Sequence, residues 1–274
     1  MALQYNQLNI SVNGAYILCD TLNLSESSPT KPIFSLGNKI VYDNTPTQIK
    51  NSISINYFVE PANEPNYTTI TGTINDTTTP QPSIINVGNV FITGYLNSYS
   101  FALAPNGLIK ASAAFEVYYP FTGNLIPQLS TDSLLYDVNN SSGLAHYWTA
   151  IFTSGNNTVS NNNVLQKDYA ASISLTPIYG IGDILPKQIY INGIQENLNI
   201  LSENQYNTQY SGQKIDTLIP SLQNLQLKNI SSLWNNNLNV SIIFPITGFI
   251  QQECKSDLQL DNNVFFSMSF NRYH

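Results

Sequence analysis

The chain has 274 residues, of which only 10 % are charged; Asn, Ser, Thr and Gln supply the polar share, and Tyr (17) and Phe (12) are plentiful. Ten basic against 17 acidic residues leave a net charge of −7, which argues against stable nucleic-acid binding, because a DNA binder gains affinity by neutralising phosphates with Lys and Arg. Two cysteines, Cys19 and Cys254, exclude a disulfide framework, and neither the opening Met1-Ala2-Leu3-Gln4-Tyr5 nor any apolar stretch predicts a secretory signal or a membrane span.

Strand signals begin at Ile10-Ser11-Val12, which runs into an Asn13-Gly14 turn and a polar second strand reaching Ser25. Ile53-Ser54-Ile55 alternates next. The segment from Glu60 to Val90 carries Pro61, Pro65, Pro80 and Pro82 and the run Thr77-Thr78-Thr79, which predicts an extended arm or long loop with one strand near Ile84 to Phe91, a disordered surface loop being the plain alternative. The following hairpin has the strongest signal. Tyr95 to Leu103 alternates aromatic or Leu residues with small polar ones, Pro105-Asn106-Gly107 supplies the turn, and Ile109, Ala111, Ala113, Phe115 and Val117 share one face of the return strand. Beyond Pro120, strand-like runs cover Ala145 to Phe152 and Ala170 to Tyr179, with an Asn-rich tract from Ser154 to Asn163 between them. Ile215, Leu218, Ile219, Leu222 and Leu225 have helical spacing, interrupted by Pro220, for at most one short helix.

Short matches recur in the same order in both halves. Ile10-Ser11-Val12-Asn13-Gly14 pairs with Ile189-Tyr190-Ile191-Asn192-Gly193, and Ile53-Ser54-Ile55 with Val240-Ser241-Ile242. Ile92-Thr93-Gly94-Tyr95-Leu96 pairs with Ile246-Thr247-Gly248-Phe249-Ile250, and Phe115 with Phe270. Such self-similarity predicts an all-β chain of two tandem antiparallel β-sandwich or barrel-like domains related by internal duplication, with at most short helices. The first spans 1–120, with the inserted arm near 60–90, and the second spans 121–274 with an Asn-rich N-terminal extension. On these matches the insertion belongs to the first copy alone.

Groups able to titrate or attack are sparse. The histidines are His146, inside an aromatic strand pattern that explains it as a half-buried packing residue, and His274. No cluster has metal-ligand spacing. Ser28-Pro29-Thr30-Lys31 spells SxxK without its companion motifs, and Gly180-Ile181-Gly182 lacks the third glycine of a dinucleotide loop. Glu60 with Glu64, or Asp257 with Asp261, could pose as a glycosidase carboxylate pair, but the local pattern reads as solvated loop or strand-end charges. No catalytic, cofactor-binding or metal-binding residue is assigned, no cofactor is expected, and the chain reads as a non-enzyme. Tyr99, Tyr118, Tyr119, Tyr147 and Trp148 would be the stacking residues of a carbohydrate-binding adhesin, although alternating aromatics in strands more often form cores or subunit contacts.

The unit Gly94-Tyr95-Leu96-Asn97-Ser98-Tyr99-Ser100-Phe101, the Asn106-Gly107 turn and Ala114-Phe115-Glu116-Val117-Tyr118-Tyr119 resemble the strand–turn–strand ends of phage tail-tube-type virion proteins, as does the opening Val12-Asn13-Gly14-Ala15-Tyr16-Ile17-Leu18. That resemblance implies β-sandwiches forming rings around a DNA channel, with tandem members able to build a trimer that mimics a hexamer. It implies no catalytic residues. Low charge suits a subunit that buries its surface, since desolvating Asn or Thr costs less than desolvating Lys or Glu; an AT-rich genome would produce a similar composition. The expected role is a virion structural protein, synthesised in the host cytoplasm, whose partners are itself and other virion proteins and past which DNA slides without specific binding. A neck, baseplate or decoration protein is the nearest alternative. Pro61, Pro65, Pro80, Pro82, Ile84 and Phe91 are the candidate subunit contacts.

Overall fold

The protein is all-β, and its computed structural model describes residues 10–27, 30–34, 41–46, 48–59, 64–75, 79–103, 110–123, 148–154, 157–159, 164–202, 224–229, 241–245, 248–258 and 264–274. The first half runs β1 (Ile10–Val12), β2 (Ala15–Tyr16), β3 (Leu18–Ser25), β4 (Thr30–Phe34), β5 (Val41–Pro46), β6 (Asn51–Phe58), α1 (Pro65–Asn75), β7 (Pro82–Val87), β8 (Val90–Leu103) and β9 (Lys110–Val117). The second runs β10 (Trp148–Ser154), β11 (Asn157–Val159), β12 (Val164–Ile178), β13 (Gln188–Ser202), β14 (Asn224–Asn229), β15 (Ser241–Pro245), β16 (Ile250–Leu258) and β17 (Val264–Tyr273). One 11-stranded antiparallel sheet dominates; β11-β10-β14-β15 and β4-β5 form smaller sheets.

The long strand β8 organises the large sheet. Its outer half pairs with β9 on one edge, and Tyr95 is opposite both Glu116 of β9 and Pro82 of β7. β7 and β12 therefore share the other edge of β8 end to end, β7 beside residues 90–95 and β12 beside residues 98–103. At the fork stands Gly94. A Cβ there would meet Phe115 Cβ at 3.1 Å and Ile85 Cδ1 and Val117 Cγ2 at 3.3 Å, so a side chain would press on neighbours from both β7 and β9.

The same four-strand ladder occurs twice. β3-β6-β9-β8 in the first half has the order, the antiparallel sense and the register of β12-β13-β17-β16 in the second. Leu24 faces Ile53 and Ile53 faces Phe115, as Tyr169 faces Leu198 and Leu198 faces Phe270. A shift of 145 residues carries Ile53 of the first pair of strands onto Leu198, and a shift of 155 carries Phe115 of the hairpin onto Phe270. Both irregularities of the first ladder recur in the second under these shifts. The register skips Asp20 in β3 and Leu165 in β12, and it skips Asn97 in β8 and Gln252 in β16. A bulge is a specific one-residue insertion that redirects a strand, so two at matching positions tie the ladders closely.

Several sequence expectations are corrected by this register. Asn13-Gly14 is the expected hairpin turn, with φ of 51° and 82° and Val12 opposite Ala15. Asn192-Gly193, however, lies inside β13, where Asn192 is the residue skipped between the Gly193 and Ile191 pairs; β12 continues alongside, so the extra residue becomes a bulge. Ser241 and Ile242 open β15 in the separate four-stranded sheet and do not correspond to Ser54 and Ile55 of β6. Leu96 corresponds to Gln251 rather than Ile250. The insertion is not confined to the first half, because residues 203–249 separate β13 from β16 where residues 59–94 separate β6 from the matching part of β8. Leu225, assigned to a helical pattern, is in β14; Ile215 to Leu222 and the Pro105-Asn106-Gly107 turn lie outside the described residues.

The largest correction concerns the arm. Residues 65–75 form α1, and Ile84 to Phe91 is two strands joined at Gly88-Asn89, with φ of 59° at Gly88. Pro65 opens the helix, where a missing N–H costs nothing. Asn66, Thr69, Ile70 and Thr73 are its buried face, a spacing of three and four that is helical but filled largely by polar side chains. Tyr57 Oη donates to Glu64 Oε1 at 2.5 Å and accepts from Asn66 Nδ2 at 2.8 Å. Asn13 Nδ2 donates to Thr69 Oγ1 at 3.3 Å while its Oδ1 accepts from Ile84 N at 2.9 Å. Ile70 is wholly buried in the core formed by Ile53, Ile55, Ile85 and Phe115, a burial that stabilises by roughly 1.5–3 kcal/mol.

Candidate functional site: a polar sheet face with two open edges

Alternation along the paired ladders sends apolar side chains to one face and short polar ones to the other. Tyr99, Phe101, Ala111, Ala113 and Phe115 are buried, with Tyr169, Ala171, Leu198 and Phe270 continuing the same layer in the second half. The opposite face carries Ser54 and Asn56 of β6, Ser112 of β9, Ser100 of β8, Ala170 of β12 and Asn199 of β13. Its lysines sit beside acids, Lys110 Nζ 3.5 Å from Asp20 Oδ2 and Lys255 Nζ 2.9 Å from Glu253 Oε1. Exposed pairs of this kind contribute less than about 1 kcal/mol, but they cancel positive charge locally. The face is short-chained and wettable, and Asp168, opposite Asn199, adds a further carboxylate.

The β8–β12 ladder makes that face continuous across the two halves. Ser98 faces Ser172, Tyr99 faces Ala171, Phe101 faces Tyr169, and the pairing runs on to Leu103 and Lys167. Tyr169 lies against Tyr99 and Phe101 with ring centroids 6.3 and 5.9 Å away, an aromatic contact worth roughly 0.5–1.5 kcal/mol beyond area burial. Among the described residues, β3 pairs only with β6, and β16 only with β17. Among the described residues each therefore leaves one row of backbone groups without a strand partner, and such a row templates the addition of another strand.

Each ladder is braced by a buried polar group at the same position. Asn51 faces Val117, donates through Nδ2 to Tyr119 O at 3.0 Å and accepts at Oδ1 from Ser27 N at 2.8 Å. Its counterpart Glu196, 1 % exposed, faces Arg272. Arg272 Nε reaches Glu196 Oε2 at 2.6 Å and Nη2 reaches Oε1 at 3.0 Å, while Tyr169 Oη donates to Oε1 at 2.6 Å and His274 Nε2 lies 2.7 Å from Oε2. Burial alone pushes the Glu196 carboxyl up, but the hydrogen bonds from Arg272, Tyr169 and His274 together with the guanidinium charge outweigh it and hold the pKa below the ordinary carboxylate value. Arg272 also stacks over Phe249, 4.4 Å from the ring centroid. These two braces were not singled out from the sequence, although Ile194-Gln195-Glu196-Asn197-Leu198 places Glu196 on an apolar face.

The expected contact residues divide. Ile84 is 57 % and Phe91 59 % exposed, on one outward face of β7 and β8, and Pro82 is exposed beside them. Pro80 is half-buried, Pro65 begins α1, and Pro61 lies outside the described residues. Glu64 is not a solvated charge: it is buried against Tyr57, whose phenol is pushed well up by burial and by that carboxylate. Glu60, Asp261 and His146 lie outside the described residues. Tyr99 and Tyr118 are buried rather than displayed for sugar stacking. Burial, then the bond to Glu116 at 2.5 Å, pushes the Tyr118 phenol up. Gly180-Ile181-Gly182 is a turn closed by Lys187 and Asp183 at 3.3 Å, with no helix after it. Among the described residues no group of His, Cys, Asp or Glu could hold a metal ion, and no helix is long and apolar enough to cross a membrane.

No family model and no curated protein sequence matches the chain. Solved structures that resemble it include the tail of the empty gene transfer agent particle in C6 symmetry, at 13 % identity and a TM-score of 0.33 over 45 % of this chain and 99 % of that one. The virion of the native gene transfer agent particle matches at 12 % identity and a TM-score of 0.34 over the same shares. The SPP1 Dit protein, from the hub adsorption apparatus of phages infecting Gram-positive bacteria, matches at 8 % identity and a TM-score of 0.26 over 97 % of this chain and 99 % of that one.

Proposed function

We propose that this chain is a virion structural protein, a phage tail-tube-like subunit that closes into rings around a DNA channel. The observation that carries the reading is the β8–β12 ladder. It joins two four-strand modules side by side in one sheet, the last strand of one to the first strand of the next, and leaves a first-strand edge at β3 and a last-strand edge at β16. Repetition of that junction between copies is a heterologous contact, which generates a ring when the rotation closes. The two modules are copies of one internally duplicated unit, divided at residues 120 and 121. Their shared polar face lines the channel, where Ser, Asn and Ala predominate and Lys110 and Lys255 are held beside Asp20 and Glu253, so that few free cations face the DNA phosphates.

The role is structural and needs no turnover. Its partners are further copies of the chain and other virion proteins, and its place is the virion, after synthesis in the host cytoplasm. Exposed Ile84 and Phe91 belong to the outer contacts. Cryo-electron microscopy of the purified protein tests the reading: rings or tubes with an open lumen lined by Ser100 and Asn199 are expected, and a monodisperse monomer at all concentrations would refute it.

A further inference from the structure

We propose that β16 of one copy adds to β3 of a second copy in one fixed antiparallel register, with Leu22 opposite Leu258, Leu24 opposite Ser256, Ser25 opposite Lys255 and Ser27 opposite Glu253. The inference rests on the ring reading above and specifies its interface. β3 corresponds to β12 and β16 to β8, strand by strand and bulge by bulge. The internal junction pairs Lys167 with Leu103, Tyr169 with Phe101, Ala170 with Ser100 and Ser172 with Ser98. Moving each β12 residue back to its β3 counterpart, and each β8 residue forward to its β16 counterpart, turns those pairs into the four stated.

Three features fit the transferred register. The strand directions alternate across the whole ladder, so β16 and the next β3 meet antiparallel, as β8 and β12 do. Leu22 packs partly buried against the core, and the transferred register sets position 258 directly opposite it, so the added strand runs along the edge that carries it. Leu24 at the open edge is only partly buried although it packs on the core, whereas its counterpart Tyr169, covered by β8, is 5 % exposed. A second copy supplies the cover that β8 gives Tyr169. A one-residue slip would turn every side chain of β16 to the wrong face, so the core side selects this register or one two residues away.

Paired cysteines decide between them. In the double variant Ser25→Cys with Lys255→Cys, oxidation should yield covalent multimers on non-reducing denaturing gels. The yield should exceed that of Asn23→Cys with Lys255→Cys, or of either single variant, by about tenfold, since a pair two residues out lies beyond the disulfide reach of about 7 Å between Cα atoms. Hydrogen exchange on the unmodified protein, diluted and concentrated, gives an independent readout: amides of 22–27 and 253–258 should gain protection together on assembly. Rings without the matched cross-link, or with the mismatched one favoured, would overturn the register while leaving ring formation intact. Rings in which both edges exchange as fast as in the monomer would overturn edge pairing altogether, and a protein that never assembles would remove the ring reading and this inference with it.

Discussion

Phe101 and Tyr169 stand opposite each other across the ladder that joins the two halves of the sheet, their rings 5.9 Å apart and tilted by 36°. Phe101 comes from the strand that ends the first module and Tyr169 from the strand that begins the second, and the Tyr169 hydroxyl continues inward to Glu196 at 2.6 Å. The contact therefore couples the junction between modules to the brace inside the second one. Phe101→Ala should lower global stability by about 3–5 kcal/mol, the usual cost of deleting a buried Phe ring, and Phe101→Leu by less than half of that. Urea unfolding followed by intrinsic fluorescence measures both, and equal losses for the two variants would contradict a packing role.

The Glu196 brace has a defined pH signature. Its folded pKa lies below the ordinary carboxylate value of about 4.3, so the bound state favours the charged form. That contribution is fully present above the unfolded pKa and disappears as pH falls through the lower folded value. Stability should fall on acidification below roughly pH 4.3, and Glu196→Gln should flatten that acid limb. At neutral pH the same substitution should cost about 3 kcal/mol, because it leaves Arg272 without its buried partner. Thermal melts of both proteins between pH 3 and 7 test it, and an unchanged acid slope in the variant would exclude Glu196 as the titrating group.

Ile70 of α1 and Ile85 and Val87 of β7 belong to the core. Ile70→Ala should destabilise by about 2–5 kcal/mol, more than an exposed arm would allow. Deleting residues 61–82 removes α1 and the first residue of β7, and should leave no cooperatively folded protomer. Circular dichroism melts decide; a deletion variant with an unchanged transition would contradict a core role for α1.

Ile84 and Phe91 behave differently, being more than half exposed on strands whose other faces are buried. Ile84→Lys and Phe91→Lys should each change protomer stability by no more than about 0.5 kcal/mol, the usual range for surface substitutions, while reducing the assembled fraction in sedimentation velocity. Full assembly of the double variant would remove these residues from the contact.

Local chemistry made much of this architecture legible. The alternation through Ala111, Ala113, Phe115 and Val117 set both the strand and its buried face, and Asn13-Gly14 set a turn because both residues adopt positive φ. Phe115 and Phe270, matched in the sequence, are buried rings of β9 and β17 that face Ile53 and Leu198. Three things were decided only by the tertiary structure. Asn192-Gly193 has the same dipeptide as the turn, yet sits in a bulge because β12 continues beside it. The α1 sequence, rich in Thr with Gly72 near its centre, has poor intrinsic helix propensity, and it is helical because Ile70 is buried in the core and Asn66 donates to Tyr57 of β6, while Thr73 bonds back to Thr69 O within the helix. The β8–β12 junction left no mark in composition or spacing. Strand pairing is made by backbone groups that every residue carries, so which edge meets which is settled when distant segments compete for the same hydrogen bonds, and side-chain periodicity fixes only the face each strand turns toward the core.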